Sequence, residues 1–196
     1  MRFLRLIPLI LALTACGKPA PNTLTIGTIA GPETELVEVA QKVAKDKYGL
    51  NIKIVEFSDY NLPNTALQDG SLDANVYQHL PYLKATCKAH GYDLEAIGKT
   101  FVYPTAIYSN QYKSLKQLPD KALIALPNDP SNETRALLLL QQSGLITIKE
   151  NGNASVQDII KNPKKLRFKE LDAAQLPRVL SDVDAAIINT NFAIPA

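Results

Sequence analysis

The sequence has few of the residues that build metal sites and disulfides, because it contains only two histidines and two cysteines among 196 residues. These four do not form a set with the spacing of a zinc site. The glycine patterns of dinucleotide-binding and phosphate-binding loops do not occur, nor does the G-x-S-x-G turn of hydrolases. No pattern resembles a nucleophile paired with a base. We therefore expect a protein that is not an enzyme and that carries no metal or cofactor.

The sequence also lacks runs of one charge and long apolar stretches. Arg2 and Arg5 account for the formal net charge of +2, so the remainder of the chain has equal numbers of basic and acidic residues. A neutral protein without a basic run is a poor partner for nucleic acid. The apolar run Leu6–Leu13, interrupted by Pro8, is much shorter than the roughly 20 residues that span a bilayer.

The N-terminus has the features of a secretion signal, since basic residues, the short apolar run and small residues follow one another over residues 1–15. The sequence Leu13-Thr14-Ala15-Cys16 resembles a bacterial lipobox. The resemblance implies cleavage before Cys16, lipidation (palmitate) of its thiol and a tether over residues 16–22. The protein would then be anchored to a membrane of the cell envelope and face the periplasm or the exterior.

Strand-like and helix-like segments alternate from residue 23 onward, which predicts an α/β fold with a mainly parallel sheet. An extended aromatic segment, Phe101–Ser109, separates two such groups and suits a hinge between lobes. The predicted strands are Thr23–Thr28, Asn51–Phe57, Leu72–Tyr77, Ala122–Leu126, Leu166–Leu171 and Ala185–Asn189. The predicted helices are Pro32–Tyr48, a short one ending near Gly70, Leu80–His90, Asn132–Ser143 and Ala173–Leu180.

Arg135 is the first candidate for a binding residue. It follows a predicted strand, and Ser131 is the predicted N-cap of the next helix, which places the guanidinium one turn inside that helix. A cation there is disfavoured by the helix dipole, and an anion such as a carboxylate at the helix start would reverse this cost. Pairing with Asp129 or Glu133, or simple solvation, is an equally good interpretation of the local sequence.

Aromatic and amide residues at other strand ends form the remaining candidates. Tyr77 and His79, with Tyr82 one turn into the next helix, could line a pocket for an apolar or thioether group, although core packing explains them as well. Asn189 and Asn191 would share one face of an extended strand, where their amides could bind an α-amino or carboxylate group. The hinge and one polar loop add Tyr103 and Tyr60.

Taken together, these segments resemble the NlpA family of periplasmic solute-binding lipoproteins, and in particular its methionine-binding members. The resemblance extends from the lipobox to the last residue. Its longest matches are residues 38–50, Asp73-Ala74-Asn75 with Gln78-His79, Thr100-Phe101-Val102-Tyr103-Pro104, Pro127-Asn128-Asp129-Pro130, Gln175-Leu176-Pro177-Arg178 and Ile188-Asn189-Thr190.

The resemblance implies a two-lobed fold that closes on L-methionine, a related amino acid or a methionine dipeptide. Such a receptor, expected to be a monomer, delivers its ligand to a membrane permease driven by an ABC ATPase. Arg135 corresponds to the family's carboxylate-binding arginine, and Asn191 to its asparagine near the return crossover. The aromatic and histidine pocket around the methionine side chain corresponds to Tyr77, His79, Tyr82, Tyr103 and, less securely, Tyr60.

The expected domains are lobe 1 over residues 23–104, lobe 2 over 105–188 and a return crossover over 189–196. Family members continue for several dozen residues into the first lobe, so the resemblance implies that the second half of lobe 1 is missing at the C-terminus. A truncated surface lipoprotein with a structural or interaction role, and without ligand binding, is the alternative hypothesis.

Overall fold

A computed structural model describes residues 22–149 and 152–196. The predicted signal segment, the predicted lipidation site Cys16 and nearly all of the predicted tether lie outside the described residues. The described part contains no helix that is both long enough and apolar enough to cross a membrane. It also brings no three His, Cys, Asp or Glu side chains together as a set that could hold a metal ion.

The first group of elements forms a small parallel sheet with helices between its strands. In chain order its members are β1 (Thr23–Ile29), α1 (Pro32–Tyr48), β2 (Asn51–Phe57), α2 (Leu62–Gln68), β3 (Ala74–Val76) and α3 (Leu80–His90). The sheet order is β2-β1-β3, with β1 parallel to both neighbours. Gly49, in the left-handed conformation at φ 65°, ends α1 as its sequence position predicts.

The second group forms a mixed sheet with the order β4-β9-β5-β8. Strand β5 is parallel to β8 and β9, whereas β4 is antiparallel to β9. The members of this second group are β4 (Thr105–Tyr108), β5 (Leu123–Pro127), α4 (Pro130–Gln142), β6 (Thr147–Ile148), β7 (Ile159–Lys161), β8 (Arg167–Leu171), β9 (Ala185–Asn189) and α5 (Thr190–Ala193). Strands β6 and β7 form a separate two-stranded sheet. The group also contains 3-10 helices at Leu115–Gln117, Val156–Asp158 and Ala173–Val179. The α/β class is therefore confirmed, while the exact domain limits stay a prediction.

Four predicted elements differ from those observed. The third strand is limited to Ala74–Val76, and in the hinge segment only Thr105–Tyr108 is a strand. The predicted helix at 173–180 is a 3-10 helix that contains Pro177, whose missing N–H cannot complete an α-helical ladder. The chain also leaves the extended conformation after Asn189, because α5 begins at Thr190. Asn189 and Asn191 therefore do not share a strand face.

The main hydrophobic core lies in the second group, between α4 and the sheet. Leu137 and Leu140 of α4 are completely buried, as are Ile124, Leu126 and Ile187 of the central strands. The helix α1 is packed less completely, because Leu36, Val39 and Val43 remain exposed. The second sheet is thus the more firmly packed platform, and α4 is fixed on it by its apolar face.

Gly27 marks a place in β1 where a side chain has no room. A Cβ atom at this position would lie 2.5 Å from Leu72 Cδ1 and 3.1 Å from Phe57 Cε2. We expect Gly27→Ala to lower the free energy of unfolding by about 1–3 kcal/mol, since overpacking forces neighbouring side chains to move. Urea unfolding would measure the effect. Gly98→Ala is the matched control, because nothing lies within 4 Å of its added Cβ, and equal stability of the two variants would contradict the prediction.

Candidate functional site

The start of α4 holds Arg135 in a position that differs from the predicted one. Asp129, not Ser131, is the N-cap, and its carboxylate accepts hydrogen bonds from the backbone N–H of Asn132 (3.0 Å) and the hydroxyl of Ser131 (2.8 Å). The predicted cap was therefore wrong. The reason is Pro130, whose fixed φ and missing N–H suit the first helical position, so that the residue before it becomes the cap.

Arg135 lies half-buried one turn into α4 and donates hydrogen bonds only to neutral oxygens among the described residues. Its guanidinium bonds to Asn132 Oδ1 at 3.1 Å and to the Tyr103 carbonyl at 2.8 Å. The only ion pair in the described part of the chain is Lys42–Asp46, so Asp129 and Glu133 do not pair with Arg135. Burial lowers the pKa of Arg135. A half-buried guanidinium without a carboxylate partner is well suited to bind an anion.

Tyr60 is the hydrogen-bonding centre between the two sheets. Its hydroxyl donates to Asn191 Oδ1 at 2.7 Å and accepts from Asn189 Nδ2 at 3.2 Å. Its own carbonyl accepts from the hydroxyls of Tyr77 (3.1 Å) and Tyr82 (2.9 Å). The loop after β2 therefore contacts both the aromatic residues of the first group and the amides that follow β9. Among the aromatic candidates, Tyr60 was the one whose correspondence to the family's pocket was least secure.

The aromatic residues predicted to form a pocket do lie together. The ring centroids of Tyr60, Tyr77 and Tyr82 are 5.8–5.9 Å apart, and the His79 ring stacks on Tyr82 at 6.4 Å. Burial raises the pKa of all three tyrosines and lowers that of His79, and the charge of Arg135 contributes to the latter shift. His79 is thus close enough to Arg135 to sense its charge, and it is neutral at pH 7.

Tyr103 differs from the other aromatic candidates. It lies in the segment that leads into β4, where its backbone carbonyl, not its ring, contacts Arg135. Its ring packs edge-on against Phe101 at 4.9 Å and is not among the ring contacts of Tyr60, Tyr77 and Tyr82. The structure therefore brings Tyr103 to the site through its backbone, a contribution that a sequence pattern of aromatic residues cannot reveal.

Asn132 and Phe192 belong to the same cluster but were not among the predicted binding residues. Asn132 Oδ1 accepts from both Arg135 and Asn189 Nδ2, the latter at 3.0 Å, and so joins the two predicted polar groups. The Phe192 ring lies 4.9 Å from that of Tyr60. Asn132 is three residues before Arg135 on one face of the helix, which is the signal that could have identified it.

Several buried polar atoms at this site have no hydrogen-bond partner among the described residues. They are His79 Nε2, Asn189 Oδ1 and Asn191 Nδ2, two of them on residues that already contact Tyr60. Buried polar atoms nearly always have partners, because leaving one unpaired costs about 1–3 kcal/mol. The site thus offers one donor, one acceptor and an imidazole nitrogen near the Arg135 guanidinium, which has no carboxylate partner among the described residues. Such a set of groups is suited to a small molecule with both an anionic and a cationic group.

Comparison with known proteins places nearly all of the described chain in one family. The NlpA lipoprotein family matches residues 24–196. The D-methionine-binding lipoprotein MetQ of Escherichia coli K12 is 51% identical over 189 residues, which cover 93% of this chain and 70% of the relative.

Solved structures agree with the sequence comparison. A nutrient-binding protein from Burkholderia cenocepacia, bound to methionine, is 57% identical with a TM-score of 0.86, covering 88% of this chain and 73% of its own. The methionine-binding protein MetQ, at 52% identity, has a TM-score of 0.87 and covers 89% and 73%. These matches confirm the periplasmic binding-protein fold, and the chain belongs to the NlpA lipoprotein family.

Proposed function

We propose that this protein is a non-catalytic receptor that captures methionine outside the cytoplasmic membrane for an ABC importer. The observation that supports it most is the half-buried Arg135 without a carboxylate partner, linked through Asn132 and Asn189 to unpaired buried polar atoms. Relatives at about half identity are named for D-methionine binding, and one similar structure contains methionine. Nothing in these relatives favours the alternative of a purely structural lipoprotein.

Each end of an amino acid has a suitable place in this site. Arg135, at the start of a helix whose dipole favours anions, binds the carboxylate. Asn189 and Asn191 offer the acceptor and donor atoms that their present hydrogen bonds leave unused. The rings of Tyr77 and Tyr82, with His79, surround the thioether side chain, for which sulfur–aromatic contacts are favourable.

The proposed partners follow from the family and not from any surface of this structure. They are a membrane permease with its ATPase, to which the receptor delivers methionine as a monomer. Cys16 would carry the lipid that holds the protein at the envelope, facing the periplasm or the exterior. No residue of the proposed mechanism acts as a nucleophile or an acid–base catalyst, because release to the permease requires no chemical step.

Methionine is expected to stabilise the folded protein, because a ligand that binds only the folded state raises its free energy of unfolding by about 2.7 kcal/mol at 100 times Kd. Thermal unfolding followed by circular dichroism suits a chain without tryptophan. Both enantiomers should be tested, with glutamate as the control for a general effect of amino acids. If millimolar L- and D-methionine leave the unfolding temperature unchanged, the structural alternative becomes the better explanation.

A further inference from the structure

Glu33 is a buried carboxylate for which the fold supplies too few partners. It lies in the first turn of α1, directly after the carboxyl end of β1, and is only 1% exposed. Within residues 22–149 and 152–196, its Oε2 atom has no hydrogen-bond partner, and the single ion pair does not involve it. An ionised carboxylate in such surroundings is costly unless a cation or several donors face it.

The carboxylate of Glu33 belongs to the surroundings of the candidate site. Its negative charge raises the pKa of the Tyr60 and Tyr103 phenols, beside the larger effect of burial. Tyr60 is the centre that bonds Asn189 and Asn191, and the Tyr103 carbonyl bonds Arg135. The backbone N–H of Ala30 donates to the Phe57 carbonyl at 2.9 Å, so the segment that leads into α1 lies beside the end of β2, three residues before Tyr60. Glu33 therefore belongs to the first group of elements, whereas Arg135 belongs to the second.

We propose that Glu33 accepts the α-ammonium group of the bound amino acid, opposite the carboxylate that Arg135 binds. This inference rests on the proposed function. An α-amino acid is a zwitterion, and each of its charges is costly to bury unless the site supplies the opposite one. Arg135 supplies the positive charge, Glu33 the negative one, and the unpaired Asn189 Oδ1 a further acceptor for the ammonium N–H groups.

The burial of Glu33 makes its proposed pairing with the ligand's ammonium group depend on pH. Burial raises the pKa of Glu33 to about 7, against an ordinary value of 4.5. The ligand's ammonium favours the ionised form, so methionine binding should release a proton and strengthen as pH rises from 6 to 8. The phenols of Tyr60 and Tyr103 stay neutral over this range. Glu133, whose pKa burial also raises to about 7, is on α4 and bonds to the backbone N–H of Val156, so it titrates in the same range.

The test compares Glu33→Gln with the unaltered full chain by calorimetry, using methionine and 4-(methylthio)butanoic acid, which lacks only the ammonium group. We expect the variant to lose roughly 10- to 100-fold in affinity for methionine, as for a lost charged hydrogen bond. Its affinity for the deaminated acid should stay equal or increase, because a repulsive carboxylate has been removed. The rise in methionine affinity from pH 6 to 8 should be smaller than in the unaltered chain.

Controls separate this role from a structural one. Glu35→Gln changes an exposed carboxylate in the same helical turn and should alter neither affinity. Ligand-free Glu33→Gln should unfold at the same or a higher temperature, since it removes an unpaired buried charge. Unchanged methionine affinity in Glu33→Gln, or an equal loss for both ligands together with lower stability, would overturn the inference. Absence of methionine binding by the unaltered protein would instead contradict the proposed function itself.

Discussion

Replacing Arg135 with alanine is expected to weaken methionine binding by about 2–5 kcal/mol, because the ligand's carboxylate would remain buried without its charged partner. The loss should be specific to binding. Arg135 is half-buried, and it donates its hydrogen bonds to Asn132 Oδ1 and the Tyr103 carbonyl, which are both neutral groups. Isothermal calorimetry with methionine measures the change directly.

Two further variants sharpen the result. Arg135→Lys keeps the positive charge but loses the fork that binds both carboxylate oxygens, so an intermediate affinity is expected. Arg167→Ala removes an exposed side chain of β8 that donates to the Lys121 carbonyl, and it should leave affinity unchanged. If Arg135→Ala binds methionine as tightly as Arg167→Ala does, Arg135 is not a ligand-binding residue.

The second large effect concerns the packing that holds α4 in place. Leu137 is completely buried between α4 and the second sheet. We expect Leu137→Ala to lower the free energy of unfolding by about 2–5 kcal/mol, through lost burial and the cavity left behind. Urea unfolding of ligand-free protein, with the free energy extrapolated to water, measures this change.

Leu138→Ala is the natural control, since it makes the same chemical change one residue further along the same helix, where the side chain is 40% exposed. Helix propensity changes equally in both variants, so the difference between them reports burial alone. Because α4 also carries Asn132 and Arg135, partial unfolding of Leu137→Ala should reduce methionine binding at temperatures where Leu138→Ala still binds fully. Equal stability of the two variants would contradict the packing described here.

The sequence predicted those parts of the protein that depend on neighbouring residues. The helix α1 has the predicted limits Pro32–Tyr48, and alternating segments indicated an α/β fold with a parallel sheet. The resemblance to the NlpA family also identified Arg135 as a candidate. The prediction of Ser131 as the N-cap of α4 was wrong, because Asp129 occupies that position.

The structure brings the two predicted asparagines together, but not for the reason that the sequence suggested. Asn189 and Asn191 do meet at one group, the Tyr60 hydroxyl. They do so because α5 begins between them, whereas an extended strand would have aligned them by its period of two residues. The local pattern therefore indicated a special position without revealing its geometry.

Glu33 could not have been identified as a site residue from the sequence. The principle that ligands bind at the carboxyl ends of parallel strands applied to the start of α1 as well as to the start of α4. Without the fold, however, a glutamate in the first turn of a helix is ordinary, since the helix dipole favours acidic residues there. Only its burial and its unpaired oxygen distinguish it from the exposed Glu35.

The sequence by itself determined most classes of element, the balance of charge beyond Arg5, the lack of a metal-site pattern and the family. The tertiary structure decided which side chains form the site, because Tyr60 and Asn191 are 131 residues apart and Asn132 and Asn189 are 57 apart. Helical and strand periodicity acts over a few residues, so it cannot specify contacts at such separations. Packing of the two sheets and of α4 sets those contacts, and in the described part of the chain it leaves Glu33 and Arg135 without ion-pair partners.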